Sequence, residues 1–204
     1  ALRARVVEAG LSKYNLKGAG VPAHWPRDRP ILLVVGQVEN DRSIMMGCGP
    51  DLRTNSALVK AARADHPEAF LIYRNHPDVT AGNRPGLLDH AAMEEVDASA
   101  DDLDIVDCLN ACDRLATLTS LTGFEALMRG KPVSVYGRPF YAGWGLTDDR
   151  LAFDRRTRRA SLQSLIHAAL IGYPVYVTPS GWPCEAEDLV EALCMRAEAQ
   201  QDLG

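Results

Sequence analysis

Pro30-Ile31-Leu32-Leu33-Val34-Val35-Gly36 decides the fold. Five apolar residues stand without interruption between a proline and a glycine. The run is short for a helix and does not alternate apolar with polar. It predicts a strand covered on both faces, as strands of a parallel sheet are. Outward from it the same pattern recurs. Phe70-Leu71-Ile72-Tyr73, Arg114-Leu115-Ala116-Thr117-Leu118 and Val133-Ser134-Val135-Tyr136 read as further strands, with a weaker one over Glu95–Ala98. Between them lie helical patterns at Ser56–Ala64, Asp104–Asp113 and Leu121–Arg129, the last stopped by Gly130. Ser161 is a good N-cap for a helix over Leu162–Ile171, and Glu185–Gln200 reads as a long final helix. Strands alternating with helices predict an α/β fold: a Rossmann-like parallel sheet with helices on both faces. Residues 1–30 are less regular and read as a linker and helical lead-in, with 31–204 as the Rossmann-like domain.

The composition fits that fold. The chain has 204 residues, 47% hydrophobic and 24% charged, enough for one domain with a real core and not the composition of a disordered chain. Its formal net charge of −5 argues against a general nucleic-acid binder. The five cysteines, Cys48, Cys108, Cys112, Cys184 and Cys194, are odd in number and lack the spacing of a metal site. They read as apolar residues in a reducing cytoplasm. No apolar run approaches the roughly 20 residues of a membrane span, and no secretory leader is visible. The chain starts at Ala1 rather than Met and is expected to be a piece of something longer.

Parallel α/β sheets bind ligands beyond the carboxyl ends of their strands. Four segments follow strand ends here: Gly36–Ser43, Arg74–Asp78, Thr119–Glu125 and Gly137–Gly145. All are polar or glycine-rich, and all should share one edge. Thr119, Ser120 and Thr122 put three hydroxyls at a helix start, followed by Gly123. Such a start serves either as a phosphate site or as ordinary N-capping. His76, ahead of Pro77, stands at a strand end where it can donate to a phosphate or simply belong to a turn. Glu125 is placed to accept from ribose hydroxyls or to complement the helix dipole. Gln37 joins it in orienting a ribose or base. Asp41 and Ser43 lie in a loop that touches a ligand or caps the next helix. Arg138, Tyr141 and Trp144 belong to an aromatic, glycine-rich loop after a strand end, which the resemblance given below implies can close over a sugar. The run Arg155-Arg156-Thr157-Arg158-Arg159 fits either an anionic partner or a solvated face.

No G-x-x-x-x-G-K-[ST], strand-linked G-x-G-x-x-G, H-E-x-x-H, paired C-x-x-C or G-x-S-x-G occurs. P-loop NTPases, Rossmann dehydrogenases, zinc hydrolases and α/β-hydrolases are disfavoured accordingly.

The string Thr119-Ser120-Leu121-Thr122-Gly123-Phe124-Glu125-Ala126-Leu127-Met128-Arg129-Gly130-Lys131-Pro132-Val133 resembles the bacterial capsule polysaccharide biosynthesis and export family. So do Gly10–Asn15, Gly36–Asp41, Tyr73–Val79 and Gly137–Arg150, in the right order from about Gly10 to Tyr173. The resemblance implies a KpsC-type retaining β-Kdo glycosyltransferase, active on CMP-Kdo and a lipid-linked Kdo acceptor at the inner membrane face. It implies a GT-B architecture, of which this chain is similar to the C-terminal, donor-binding half. A preceding acceptor-binding domain would then lie before Ala1 and carry the catalytic carboxylate. His76-Pro77 and Ser120 with Thr122 would contact the CMP. No cofactor and no metal are implied, and the half alone is expected to bind CMP without transferring Kdo. Two other readings are kept: a UDP-sugar-binding GT-B enzyme, and a non-enzymatic capsule-export adaptor acting through Arg155–Arg159.

Overall fold

All five residues of Ile31–Val35 are buried in a strand, because both faces of the sheet they join are covered. The computed structural model describes residues 1–13, 20–178 and 180–201. In chain order its elements are α1 (Leu2–Glu8), β1 (Ile31–Val35), α2 (Arg42–Gly47), α3 (Asn55–Asp65), β2 (Phe70–Arg74), α4 (Pro77–Thr80), α5 (His90–Met93) and β3 (Ala98–Ser99). There follow α6 (Ile105–Ala111), β4 (Arg114–Thr117), α7 (Thr122–Met128), β5 (Val133–Val135), β6 (Asp148–Asp149) and α8 (Leu162–His167). A π-helical turn (Ala168–Gly172), β7 (Tyr176–Val177), β8 (Pro183–Cys184) and α9 (Ala186–Gln201) complete it.

The chain divides into two compact units, Ser12–Arg159 and Ala1–Leu11 with Ala160–Gly204. The sequence reading drew its boundary near Pro30 instead. The units divide elsewhere because Leu2 and Val6 of α1 share a small core with Ala186 and Val190 of α9, joined by Leu170, Tyr176 and Cys194.

The larger unit holds a six-stranded sheet in the order β3-β2-β1-β4-β5-β6. Every pairing in it is parallel, with Ile31 opposite Phe70 and Leu32 opposite Arg114. From β1 the chain moves outward through β2 to β3. It then returns through α6 to β4, on the other side of β1, and moves outward again through α7. Right-handed crossovers put the helices of these two excursions on opposite faces. On one face Leu32 and Val34 pack with Ile44, Leu58, Val59, Ala62 and Ala92 from α2, α3 and α5. Leu33 and Val35 alternate to the other face, where α6 lies on β1. The reversal of direction between β1 and β4 is the topological switch point of a Rossmann-like sheet.

Three short helices were absent from the sequence reading. Pro77 is the first residue of α4, where its missing N–H costs nothing. The expected third strand, over Glu95–Ala98, appears at Ala98–Ser99 and so begins three residues later. β6 was not expected at all: its two aspartates carry no apolar pattern, Asp148 being held by Arg114 and Arg150 and Asp149 by the Gly143 N–H and the Thr147 hydroxyl. Cys48, Cys108 and Cys112 are buried and unpaired, and burial pushes their thiols up to about 11, 11 and 12. Among the described residues no helix is long and apolar enough to cross a membrane.

Candidate functional site

The carboxyl ends of β1, β2 and β4 open into one cleft. Gln37, Val38, Asp41 and Ser43 line it after β1, Arg74 to Pro77 after β2, and Thr119 to Thr122 with Glu125 after β4. Ser12, Lys13 and Ile105 complete the wall.

The floor lies at the switch point. Gln37 Nε2 donates to Thr119 Oγ1 at 3.0 Å, and the Thr119 backbone N–H donates to Gln37 Oε1 at 2.8 Å. Asn55, fully buried at the start of α3, holds Gln37 in turn. It accepts from the Gln37 N–H at 2.9 Å and donates to the Gln37 and Gly86 carbonyls, both at 2.8 Å. Gln37 thus spends its side-chain amide on Thr119 and joins two loops.

The hydroxyls after β4 are engaged locally. The Ser120 N–H donates to Thr117 Oγ1 at 3.2 Å, and the Thr122 N–H donates to Ser120 Oγ at 3.2 Å. Ser120 Oγ also donates to Thr122 Oγ1 at 3.1 Å, while the Gly123 N–H reaches the Ser120 carbonyl. These hydroxyls brace the turn ahead of α7, whose own N-cap, Leu121, has no side-chain cap. Behind them Tyr141 is fully buried and donates from its hydroxyl to the Ser120 carbonyl at 2.6 Å. A side chain at Gly123 would occupy the place of that hydroxyl, so glycine is required by close approach.

His76 caps α4: its Nδ1 accepts from the Asp78 N–H at 3.2 Å. An accepting Nδ1 places the ring proton on Nε2. Burial, with the nearby Lys13 charge, outweighs Asp78 and Asp41 and holds the imidazole below its ordinary value. His76 is therefore a neutral donor on the cleft wall. Opposite stands Glu125, 5% exposed. Its Oε1 accepts from the Lys13 backbone N–H at 2.7 Å. Burial raises its carboxyl above the ordinary range, against that hydrogen bond and the charges of Arg129 and Lys13. Asp41 pairs with Arg84 at 3.4 Å at the rim.

The structure gathers His76, Pro77, Thr119, Ser120, Thr122, Glu125, Gln37, Asp41 and Ser43 around the cleft. Arg138, Tyr141 and Trp144 do not line it. Arg138 is exposed and donates from Nε to the Ala152 carbonyl, and Trp144 Nε1 donates to the Phe140 carbonyl at 2.8 Å. Arg156 ties this loop down, donating to the Pro139 and Ala142 carbonyls beneath the Trp144 and Phe153 rings. The arginine run is thus no single face, since Arg156 turns inward. Ser12, Lys13, Arg74, Asn75, Ile105 and Asn55 were not singled out from sequence as site residues. Tyr14 and Asn15 of the Gly10–Asn15 string lie outside the described residues.

A parallel sheet in this order, with a polar cleft over its switch point, defines a Rossmann-like α/β protein of the nucleotide-binding kind of architecture. Residues 10–178 match the family described as capsule polysaccharide biosynthesis protein, and the chain belongs to that family. It is 46% identical over 179 residues to the capsule polysaccharide modification protein LipA of Neisseria meningitidis serogroup B, covering 87% of this chain and 25% of that protein. It is 46% identical over 190 residues to the lipopolysaccharide-processing protein LpsZ of Rhizobium meliloti, covering 91% of this chain and 43% of that one. Among solved structures it is similar to Thermosulfurimonas dismutans KpsC, β Kdo 2,4 transferase, with a TM-score of 0.83 and 34% identity over 95% of this chain and 60% of that one. The KpsC β Kdo 2,7 transferase of the same organism gives 0.78 and 35%, over 96% of this chain and 60% of that one. The chain spans less than half the length of these curated relatives.

Proposed function

We propose that this chain is the donor-binding part of a β-Kdo glycosyltransferase of capsule assembly, and that the cleft takes CMP-Kdo. The observation that carries the reading is the meeting of three strand-end loops in one cleft at the switch point, with neutral donors on facing walls. Similarity to two Kdo transferases supports the sugar and the reaction class. In this reading Ser120 and Thr122 turn their hydroxyls from each other to the phosphate. The Leu121 N–H, which has no protein partner among the described residues, joins them. His76 adds its Nε2–H to the same phosphate and eases departure of CMP. Glu125 accepts from the ribose hydroxyls. The nucleophilic carboxylate of a retaining transfer, and the lipid-linked acceptor, belong to another part of the enzyme.

Calorimetric titration of CMP and UMP into the chain tests this. Ser120→Ala and His76→Asn are the informative variants, because Asn keeps a cap for α4 while shortening the reach of the donor. CMP binding, tighter than UMP and weakened about tenfold in each variant, is the expected result. UMP preferred over CMP would move the reading to a UDP-sugar enzyme. A folded chain that binds neither nucleotide would overturn it.

A further inference from the structure

The stretch Arg138–Arg159, which the donor cleft does not use, carries six arginines and three aspartates, with no lysine or glutamate. It is a positive segment in a chain whose formal net charge is −5. Two of the aspartates are taken elsewhere. Asp148 is held by Arg114 and Arg150, and Arg150 also holds Asp65 at 2.7 Å. Asp149 accepts from the Gly143 N–H at 2.9 Å and from the Thr147 hydroxyl at 2.6 Å. The remaining aspartate lies in a second groove, lined by Arg138, Ala152, Phe153, Asp154, Arg155 and Arg156. Three arginines line that groove with one carboxylate.

Two of the three arginines are fixed by neutral partners. Arg138 donates from Nε to the Ala152 carbonyl at 3.4 Å, which lays its side chain along the groove and leaves the two terminal nitrogens outside that bond. Arg156 donates to the Pro139 and Ala142 carbonyls, with the Phe153 ring centre 4.8 Å from its guanidinium. Arg155 is exposed. Among the described residues neither Arg138 nor Arg155 pairs with a carboxylate. The groove stands at the ligand-binding edge of the sheet, because Arg138 follows the carboxyl end of β5. A side chain at Gly137 would meet the Thr119 methyl at 2.7 Å. One at Gly47 would meet that methyl at 3.0 Å and the Arg138 backbone nitrogen at 3.8 Å. Thr119, a residue of the donor cleft, thus has the start of the Arg138 loop against it.

We propose that this groove is a second ligand site, a subsite for the carboxylate of a sugar acid. A guanidinium matches a carboxylate with two parallel hydrogen bonds, and arginine is the residue suited to that geometry. Phe153 supplies apolar surface for the C–H face of a sugar ring, while Arg138 and Arg155 meet its charge. That pairing of ring surface with positive charge favours a sugar acid over a bare inorganic anion. The choice of a sugar acid rests on the Kdo-transferase reading, and the preference for an anion rests on the groove alone. The acid arrives either on the nucleotide, past Thr119, or on a separate glycan, and it presents the same chemistry from both.

The test titrates free Kdo into the full chain, followed by NMR, beside its methyl ester, which keeps the sugar and removes the charge. Kdo should bind, and the ester about tenfold more weakly. Arg155→Ala and Arg138→Ala should each weaken Kdo about tenfold. Arg155 is exposed, so its replacement keeps the fold. Arg158→Ala, exposed but not part of the groove, should change nothing, and saturating CMP should leave Kdo bound. Equal losses from Arg155→Ala and Arg158→Ala overturn the site, because a diffuse positive field, of the kind an anionic lipid surface reads, loses the same from either. Inorganic phosphate bound as tightly as Kdo overturns the sugar. CMP that displaces Kdo overturns it too, by placing the sugar in the cleft. A chain that binds CMP but not Kdo overturns this inference and leaves the donor cleft intact, and one that binds Kdo but not CMP does the reverse. CMP-Kdo names the source. Arg155→Ala weakens CMP-Kdo but not CMP when the nucleotide carries the acid, and weakens only free Kdo when a separate glycan carries it; either result supports the site.

Discussion

Gln37 and Thr119 hold each other across the switch point through two hydrogen bonds, 3.0 Å from Nε2 to Oγ1 and 2.8 Å from the backbone N–H to Oε1. One residue follows the first strand and the other follows the fourth, so the pair fixes the width of the cleft floor. Asn55 makes the pair rigid from behind with three further bonds. Asn55→Ala would leave the Gln37 and Gly86 backbone groups buried without partners, at about 1–3 kcal/mol for each group left unsatisfied. Gln37→Ala should cost less, about 1–2 kcal/mol, because Thr119 is only half-buried and water can replace the lost bonds. Urea unfolding measures both, and an Asn55→Ala as stable as wild type would show that Asn55 does not brace the floor. Nucleotide affinity should fall in both variants although neither side chain is assigned to the ligand.

Glu125→Gln separates stability from binding. Burial raises the Glu125 carboxyl above its ordinary value of 4.5. A carboxyl raised in the folded state favours folding while protonated, and that advantage is lost as pH rises from its unfolded value through its folded one. At neutral pH the folded chain therefore bears a buried charge that glutamine does not carry. Glutamine still offers an oxygen to the Lys13 N–H. The expected result is a higher Tm than wild type near pH 7, a gap that closes below about pH 4.5, and nucleotide affinity about tenfold weaker. A lower Tm at pH 7 would mean that the carboxylate is well compensated and that its charge belongs to the fold.

The pH dependence near neutrality should come from histidines. Burial is the first cause that holds both His66 and His76 below the ordinary value of 6.5. Above that value both states are neutral and neither residue contributes. As pH falls through 6.5 the unfolded chain takes up protons that the folded chain does not, so stability falls until the lower folded values are reached. Denaturation midpoints at about pH 7.5 and about pH 5.5 measure the loss. A His66→Asn, His76→Asn chain should lose less over the same interval. An identical loss in wild type and variant would assign the dependence to other groups.

How much of this was legible in sequence depends on whether a residue's partner was near in the chain. The strands at Ile31–Val35, Phe70–Arg74 and Val133–Val135 announce themselves because a strand covered on both faces must be apolar throughout. The loops that meet in the cleft follow from those strands. Gln37 looked like a ligand group because it is polar and follows a strand, but its amide is answered by Thr119, 82 positions away. Tyr141 sat in a loop rich in glycine and aromatic residues and was read as one that closes over a sugar. It is buried because Gly123 leaves room for its hydroxyl and Ser120 offers a carbonyl. Lys13 and Asn55 belong to no local pattern that points to a cleft. Only the folded chain brings Lys13 to Glu125 and Asn55 to Gln37.

The arginine run makes the last prediction, because its members behave differently. Arg156 donates to the Pro139 carbonyl at 2.6 Å and to the Ala142 carbonyl, and its guanidinium lies 4.8 Å from the Phe153 ring centre and 5.4 Å from that of Trp144. Burial lowers its proton affinity, against the pull of Asp149. Arg155 and Arg158 are exposed. Arg156→Ala should cost about 2–4 kcal/mol, from two charge-assisted hydrogen bonds and the ring contacts together. Arg155→Ala and Arg158→Ala should stay within about 0.5 kcal/mol of wild type. Freed of Arg156, the loop from Arg138 to Trp144 opens to protease, so chymotrypsin should cut after Phe140, Tyr141 or Trp144 faster in Arg156→Ala alone. Equal, small effects from all three substitutions would make the run a plain solvated face. A lock confined to Arg156 leaves Arg155 and Arg158 as the residues whose replacement tests partner binding without disturbing the fold.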